Sequence, residues 1–163
     1  MMVNSMQKIT PFLWFVDNAT EAAKFYTSIF KGKIVSSAQL DNTPSGPNTY
    51  IVTIKLADMD FTLINGGEAP GFTKFSAATS FVVNCKNQKE VDRYWNGLLK
   101  DGGKPSQCGW LTDKYGVTWQ VVPVEMSKYL GGSNVEGRDR AMKAMLKMVK
   151  LDINKIKHAY MGK

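Results

Sequence analysis

Histidine is the scarcest reactive residue in the chain. There is one, His158, and it lies in a basic tail beside Lys155 and Lys157. Nucleophilic triads, His-based zinc sites and His/His/carboxylate iron sites each need an imidazole held among suitable partners. Those chemistries have no starting point here. The two cysteines, Cys85 and Cys108, lie far apart and form no CxxC pair. No cation beside Cys108 in sequence would activate it, and no histidine is placed to act as its base, so a small buried residue is expected there. A reduced, cytoplasmic setting is the expectation. The remaining candidates for ligand chemistry are neutral, and the amide of Gln120, a donor and an acceptor at once, is the most versatile.

The bulk properties narrow the classes further. With 163 residues and 44% hydrophobic content, the chain can bury a core and is not a disordered segment. No run of about 18 apolar residues exists to cross a bilayer. Residues 1–6 carry neither a basic start nor an apolar stretch, so no secretory leader is expected. Net charge is +7, and residues 125–163 hold nine basic against four acidic side chains. The excess therefore sits in the tail, and neither nucleic acid nor a membrane is an expected partner.

An internal repeat organises the rest. Asn18, Glu21, Phe25 and Ile29 recur as Asn87, Glu90, Tyr94 and Leu98, each 69 residues later. Both segments open on an Asn suited to cap a helix, with Glu at the third helical position. Both then place apolar residues at helical spacing and close on glycine, at Gly32 and at Gly102-Gly103. A strand precedes each helix, Thr10–Val16 and Thr79–Cys85. Three strand-like runs follow each: Lys33–Leu40, Thr49–Leu56 and Asp60–Asn65, then Lys104–Gln107, Gly109–Thr112 and Val117–Val122. The expected fold is α+β, with two tandem βαβββ modules (residues 8–67 and 78–124) and a C-terminal helical segment (125–163) in one compact domain. Together the modules would form a curled mixed sheet whose helix-free side lines a shared concave cavity.

This order of elements resembles the vicinal oxygen chelate superfamily of glyoxalases, bleomycin- and fosfomycin-resistance proteins and extradiol dioxygenases. Ile9-Thr10-Pro11-Phe12-Leu13-Trp14-Phe15, Phe25-Tyr26-Thr27-Ser28-Ile29-Phe30, Phe61 to Gly67, Ser80 to Cys85, Met142 to Ile153 and, most specifically, Gln107 to Pro123 are similar to its PhnB-like branch. That branch bears the label 3-demethylubiquinone-9 3-methyltransferase-like. The resemblance implies four metal-ligand positions, falling at Pro11, near Thr62, at Ser80 and at Gln120. None carries a carboxylate or imidazole, so no metal and no cofactor are expected. The methyltransferase label implies a glycine-rich turn between a strand and a helix N-terminus. The glycine pairs here, Gly66-Gly67 and Gly102-Gly103, are expected to be a turn and a helix end.

Alternation along the strands then sorts residues by face. Pro11, Leu13 and Phe15 are placed on the cavity side, with Phe12 and Trp14 toward the helix core. Gln120, Thr118, Trp110 and Cys108 join them, and Thr62 and Ser80 complete the cavity candidates. Trp110 stays open between pocket wall and packing, and Gln120 between ligand contact and a structural hydrogen bond. In the tail, Met142, Met145, Leu146 and Val149 share a helix face opposite Lys143, Lys147 and Lys150. That face is expected to pack on the sheet core or on a second subunit, and Asp152 to cap a last helix. The favoured function is metal-free binding of a small organic molecule by a homodimer. An enzyme of unknown reaction and a protein-interaction module are the alternatives.

Overall fold

The computed structural model describes residues 7–68 and 74–163. The chain divides into two compact units, residues 1–73 and 74–163. The first runs β1 (Phe12–Phe15), α1 (Ala19–Phe30), β2 (Lys33–Gln39), β3 (Tyr50–Leu56) and β4 (Met59–Asn65). The second runs β5 (Phe81–Cys85), α2 (Gln88–Leu99), β6 (Lys104–Pro105), β7 (Trp110–Thr112) and β8 (Thr118–Pro123). Helices α3 (Met126–Leu130), α4 (Val135–Met145) and α5 (Ile153–Met161) complete it. Each unit holds a four-stranded mixed sheet, in order β1-β4-β3-β2 and β5-β8-β7-β6. The α+β class and the tandem βαβββ units are therefore as expected. Helix α3 lies within the expected C-terminal helical segment, at a place where the sequence reading sets no separate helix.

In the first unit, β1 runs parallel to β4 and the other pairs are antiparallel. Leu13, Leu63, Val52 and Ile54 are buried on one face of this sheet, together with Phe15, Phe61 and Leu56. Helix α1 covers that face with Ala19, Ala22, Ala23 and Tyr26, spaced i, i+3, i+4 and i+7. Three alanines leave room for the close approach. The expected Asn18 cap does not form; Asn65 Oδ1 accepts the Ala19 N–H at 2.6 Å instead. Gly32 is not the left-handed stop either, because Lys31 takes that conformation (φ 52°). A side chain at Gly32 would collide with the Lys55 carbonyl, so glycine answers a packing need.

The second unit repeats the plan with better caps. Asn87 Oδ1 accepts the Glu90 N–H at 3.0 Å, and Glu90 Oε2 accepts the Lys86 N–H at 2.8 Å, a reciprocal box. Helix α2 buries Val91, Trp95 and Leu98 against the face that carries Val83, Cys85, Leu111, Trp119 and Val121. Burial pushes the Cys85 thiol up to about 12, with the Glu90 charge adding to it and Arg93 opposing. Asp113 closes the β7–β8 hairpin. It is 4% exposed, accepts the N–H groups of Tyr115 and Val117, and takes the Trp119 indole N–H at 2.8 Å.

The C-terminal helices pack on each other around Tyr129, Ala141, Leu151 and Ile156. Asp152 caps α5 through the Lys155 N–H, as expected, and Asn134 caps α4. Two links tie this layer to the sheet's loops and to α2. The N–H groups of Cys108 and Gly109 donate to Met148 and Val149, and Gln88 bonds both Leu151 and Ile153. Gly109 (φ 82°) lies so close to Val121 and Leu151 that a Cβ would overlap them. Among the described residues, no helix is long and apolar enough to cross a membrane.

Two outcomes follow from the second unit. Asp113→Ala should lower the unfolding free energy by about 3 kcal/mol in urea titration, because buried donors lose their acceptor. A loss under about 1 kcal/mol would show that the hairpin does not need the carboxylate. Native protein treated with iodoacetamide at pH 8 should be alkylated at Cys108 alone, since burial keeps the Cys85 thiol protonated and out of the reagent's reach. Rapid labelling of Cys85 before unfolding would contradict its burial.

Candidate functional site

The pairing of first and last strands decides which side chains leave the helix-packed face. In β1 and β4, Phe12 stands beside Thr62 and Leu13 beside Leu63. Leu13 and Leu63 belong to the buried, α1-facing side, so Phe12, Trp14 and Thr62 lie on the opposite face. The face assignment made from sequence is therefore corrected. Leu13 and Phe15 are 8% and 4% exposed beneath α1. Pro11 shares their parity, and its carbonyl accepts the Thr62 N–H at 2.9 Å. Phe12 is instead 55% exposed.

The cause is a single residue. Phe15 to Cys85 is a step of 70, whereas Ala19 to Gln88 is a step of 69. The β1–α1 connection is one residue longer than the β5–α2 connection, so counting back from the helix selects the wrong face of β1. Register supplies the correct equivalence. Val82 pairs with Gln120 as Phe12 pairs with Thr62, and Ser80 precedes Val82 as Thr10 precedes Phe12. The positions at which the superfamily resemblance implies ligands thus fall at Thr10 and Thr62 in the first unit and at Ser80 and Gln120 in the second. Thr10, not Pro11, is the first of them.

In the second unit the expected residues do meet. Gln120 Nε2 donates to Ser80 Oγ at 2.9 Å, and both side chains are half-buried. Trp110 is level with Gln120 on the neighbouring strand, and Val82 is level with it on the other side. The face turned away from α2 therefore carries a row of Val82, Gln120 and Trp110, with Ser80 beside the amide. Thr118 shares this face but is 4% exposed, so its hydroxyl is buried. Cys108 does not join the row. It sits in a left-handed turn (φ 57°) ahead of β7, with its thiol toward the Met145 carbonyl at 3.7 Å. Strand parity does not apply at that turn.

One further feature escaped the sequence. A cleft of about 470 Å³ opens where β1 and β4 end, lined by Val16, Asp17, Ser45, Asn48, Asn65 and Gly67. None of these residues is aromatic, unlike the lining of the cavity expected, and Asp17 is the one charged residue among them. The β2–β3 loop that supplies Ser45 and Asn48 gives no periodic signal from which this could be foreseen.

The donor set does not fit the metal of the superfamily. Hydroxyls at Thr10, Thr62 and Ser80 and an amide at Gln120 are weak neutral ligands for zinc, nickel or iron. The Ser80–Gln120 contact also engages one pair with itself. Among the described residues, no cluster of three or more His, Cys, Asp or Glu side chains could hold a metal ion. The fold does not fit a dinucleotide-type methyl-donor site either. Gly66 and Gly67 form a turn whose N–H groups bond Phe15 and Val16, with the Gly67 carbonyl accepting from Trp14 Nε1 at 3.0 Å.

The profile of the 3-demethylubiquinone-9 3-methyltransferase family matches residues 7–122. No curated protein sequence matches the chain. Among solved structures, the PhnB protein of Bacillus cereus, which carries the same methyltransferase name, is 36% identical. That match takes in 72% of this chain and 100% of the other, with a TM-score of 0.64. A protein from Pseudomonas aeruginosa is 20% identical, over 72% of this chain and 97% of its own, with a TM-score of 0.60. A glyoxylase/bleomycin resistance protein/dioxygenase domain from Frankia sp. EAN1pec is 14% identical, over 73% and 93%, with a TM-score of 0.51. The last two show the shared fold alone. Matched by the profile from Gln7 to Val122 and spanning its Bacillus relative end to end, the chain belongs to the PhnB-like, 3-demethylubiquinone-9 3-methyltransferase family, on a glyoxalase/bleomycin-resistance fold.

Proposed function

We propose that this protein binds a small organic molecule without a metal, on the face of its second sheet that turns away from α2. The observation that carries this is the 2.9 Å contact between Gln120 Nε2 and Ser80 Oγ beside Trp110. A primary amide has two N–H groups and a carbonyl. With one N–H donated to Ser80, Gln120 keeps a donor and an acceptor, and the Ser80 hydroxyl keeps its own proton. Two donors and one acceptor next to an indole suit a planar molecule bearing a carbonyl or hydroxyl group. The ring would stack on Trp110 and the polar edge would meet the amide. The proposal includes no nucleic acid; of the tail's basic side chains, Arg140 is tied to the Ala159 and Tyr160 carbonyls and Lys150 to Asp92.

Small molecules retained through purification and identified by mass spectrometry are the starting point. A retained molecule should quench tryptophan fluorescence on rebinding, and Gln120→Ala should weaken it about tenfold, the loss of one hydrogen bond. Trp110→Ala should weaken it at least as much. Elemental analysis should find no stoichiometric divalent metal, and chelator should leave the melting temperature and the affinity unchanged. Stoichiometric zinc, nickel or iron, or affinity untouched by both substitutions, would contradict the proposal. Turnover of the bound molecule would make the protein an enzyme at this same site; binding without turnover would make it a carrier.

A further inference from the structure

The cleft at the ends of β1 and β4 is lined by the first unit alone and shares no residue with the Ser80–Gln120 site. The two strands are parallel neighbours, so their carboxyl ends open on the same side. A crevice outside the carboxyl ends of parallel strands is where open sheets take ligands. Backbone bonds fix its base, the Gly66 and Gly67 N–H groups donating to the Phe15 and Val16 carbonyls at 2.9 and 3.0 Å. The β2–β3 loop brings Ser45 and Asn48, and its threonines hold it in shape. The Thr43 and Thr49 hydroxyls lie 2.6 Å apart, and Thr49 Oγ1 donates to the Gly46 carbonyl at 3.0 Å.

The polar side chains of the lining are largely spared from that scaffold. Asn65 uses its Oδ1 alone, on the Ala19 N–H at 2.6 Å, and its two N–H bonds have no acceptor among the described residues. Among those same residues, the Asp17 carboxylate, the Ser45 hydroxyl and the Asn48 carboxamide have no hydrogen-bond or ion-pair partner. These four side chains border one volume of about 470 Å³, within the roughly 300–1,000 Å³ of small-ligand pockets. The charge is equally distinct. The chain carries 21 Lys and Arg and a net charge of +7, yet no basic residue lies in the lining or next to it in sequence. Glu68, which follows Gly67, is a second, exposed carboxylate.

We propose that this cleft binds a small amine that carries hydroxyl groups, of the amino-sugar type, as a site separate from the one on the second sheet. An ammonium has three N–H donors and no acceptor, which suits the unpaired Asp17 carboxylate. A hydroxyl donates and accepts at once, and the Asn48 amide and Ser45 hydroxyl do the same, with Asn65 adding donors. An anion would be repelled by Asp17 and Glu68, and a flat apolar ring would find no aromatic side chain in the lining to stack on. Because Asp17 is exposed, its ion pair is weak, and the affinity is millimolar rather than nanomolar.

Titration of the isotope-labelled full chain, followed by NMR, tests this with defined probes. Glucosamine at pH 6, where its amine is protonated, should shift the amide signals of Asp17, Ser45 and the Asn48 and Asn65 side chains. Glucose has the hydroxyls without the charge, and cyclohexylamine the charge without the hydroxyls. Each should bind about tenfold more weakly than glucosamine, or worse. Asp17→Asn should weaken glucosamine by about tenfold, the loss of a hydrogen bond to a charged group. Asp58→Asn, in the turn at the far end of β4, should change nothing, which separates a site from general attraction to acidic side chains. Since Asp17 has no partner in the fold, its variant should keep the parent melting temperature. Cleft signals that never move would overturn the proposal. So would glucose or cyclohexylamine binding as tightly as glucosamine, or Asp17→Asn acting no more strongly than Asp58→Asn. Shifts confined to the Gln120 and Trp110 side chains would also overturn it, by giving the amine to the second sheet.

Discussion

Each unit is organised by one pairing, in which its first strand lies parallel to its last. Parallel strands cannot be joined by a tight turn, so the chain between β1 and β4, and between β5 and β8, must cross over a sheet face. Helices α1 and α2 lead those crossovers and take the apolar side. What remains on the opposite face is set by register. Because side chains alternate with period two, a shift of one residue would exchange the faces completely. The pairs Phe12 with Thr62 and Val82 with Gln120 therefore determine which residues any ligand could meet.

Much of the architecture was legible because helical spacing and caps are local signals. The repeat step of 69 places Ala19–Phe30 on Gln88–Leu99 end to end. The Asn87 and Asp152 caps are where short-range chemistry puts them. Asn18 shows the limit of such signals. A side chain distant in sequence, Asn65, reaches the same helix end and displaces the local cap. Likewise, glycine after α1 is a fair C-terminal signal, yet Gly32 is needed because the Lys55 carbonyl crosses there, and no local pattern reports that contact.

The candidate site was legible in one unit and misplaced in the other. In the second unit the strand–helix connection is short, and Ser80, Trp110 and Gln120 fall together as alternation implies. In the first, one extra residue between β1 and α1 turns Leu13 and Phe15 inward and leaves Thr10 and Phe12 outside. Hydropathy could not warn of it, since both parities of Phe12-Leu13-Trp14-Phe15 are large and apolar. Cys108 was misplaced for a different reason: a left-handed residue outside the strand breaks the alternation that would have aimed it.

At the positions where the superfamily resemblance implies metal ligands, this chain carries hydroxyls and an amide. The Ser80–Gln120 hydrogen bond is the feature that gives those positions an alternative polar anchor, and it is accessible without knowing the ligand. A double-mutant cycle on unfolding free energy, with Ser80→Ala, Gln120→Ala and the pair, measures it directly. A coupling of about 1 kcal/mol is expected for a half-buried hydrogen bond between them. Single effects that simply add, within about 0.3 kcal/mol, would show that the two side chains do not bond and that the site has no such anchor.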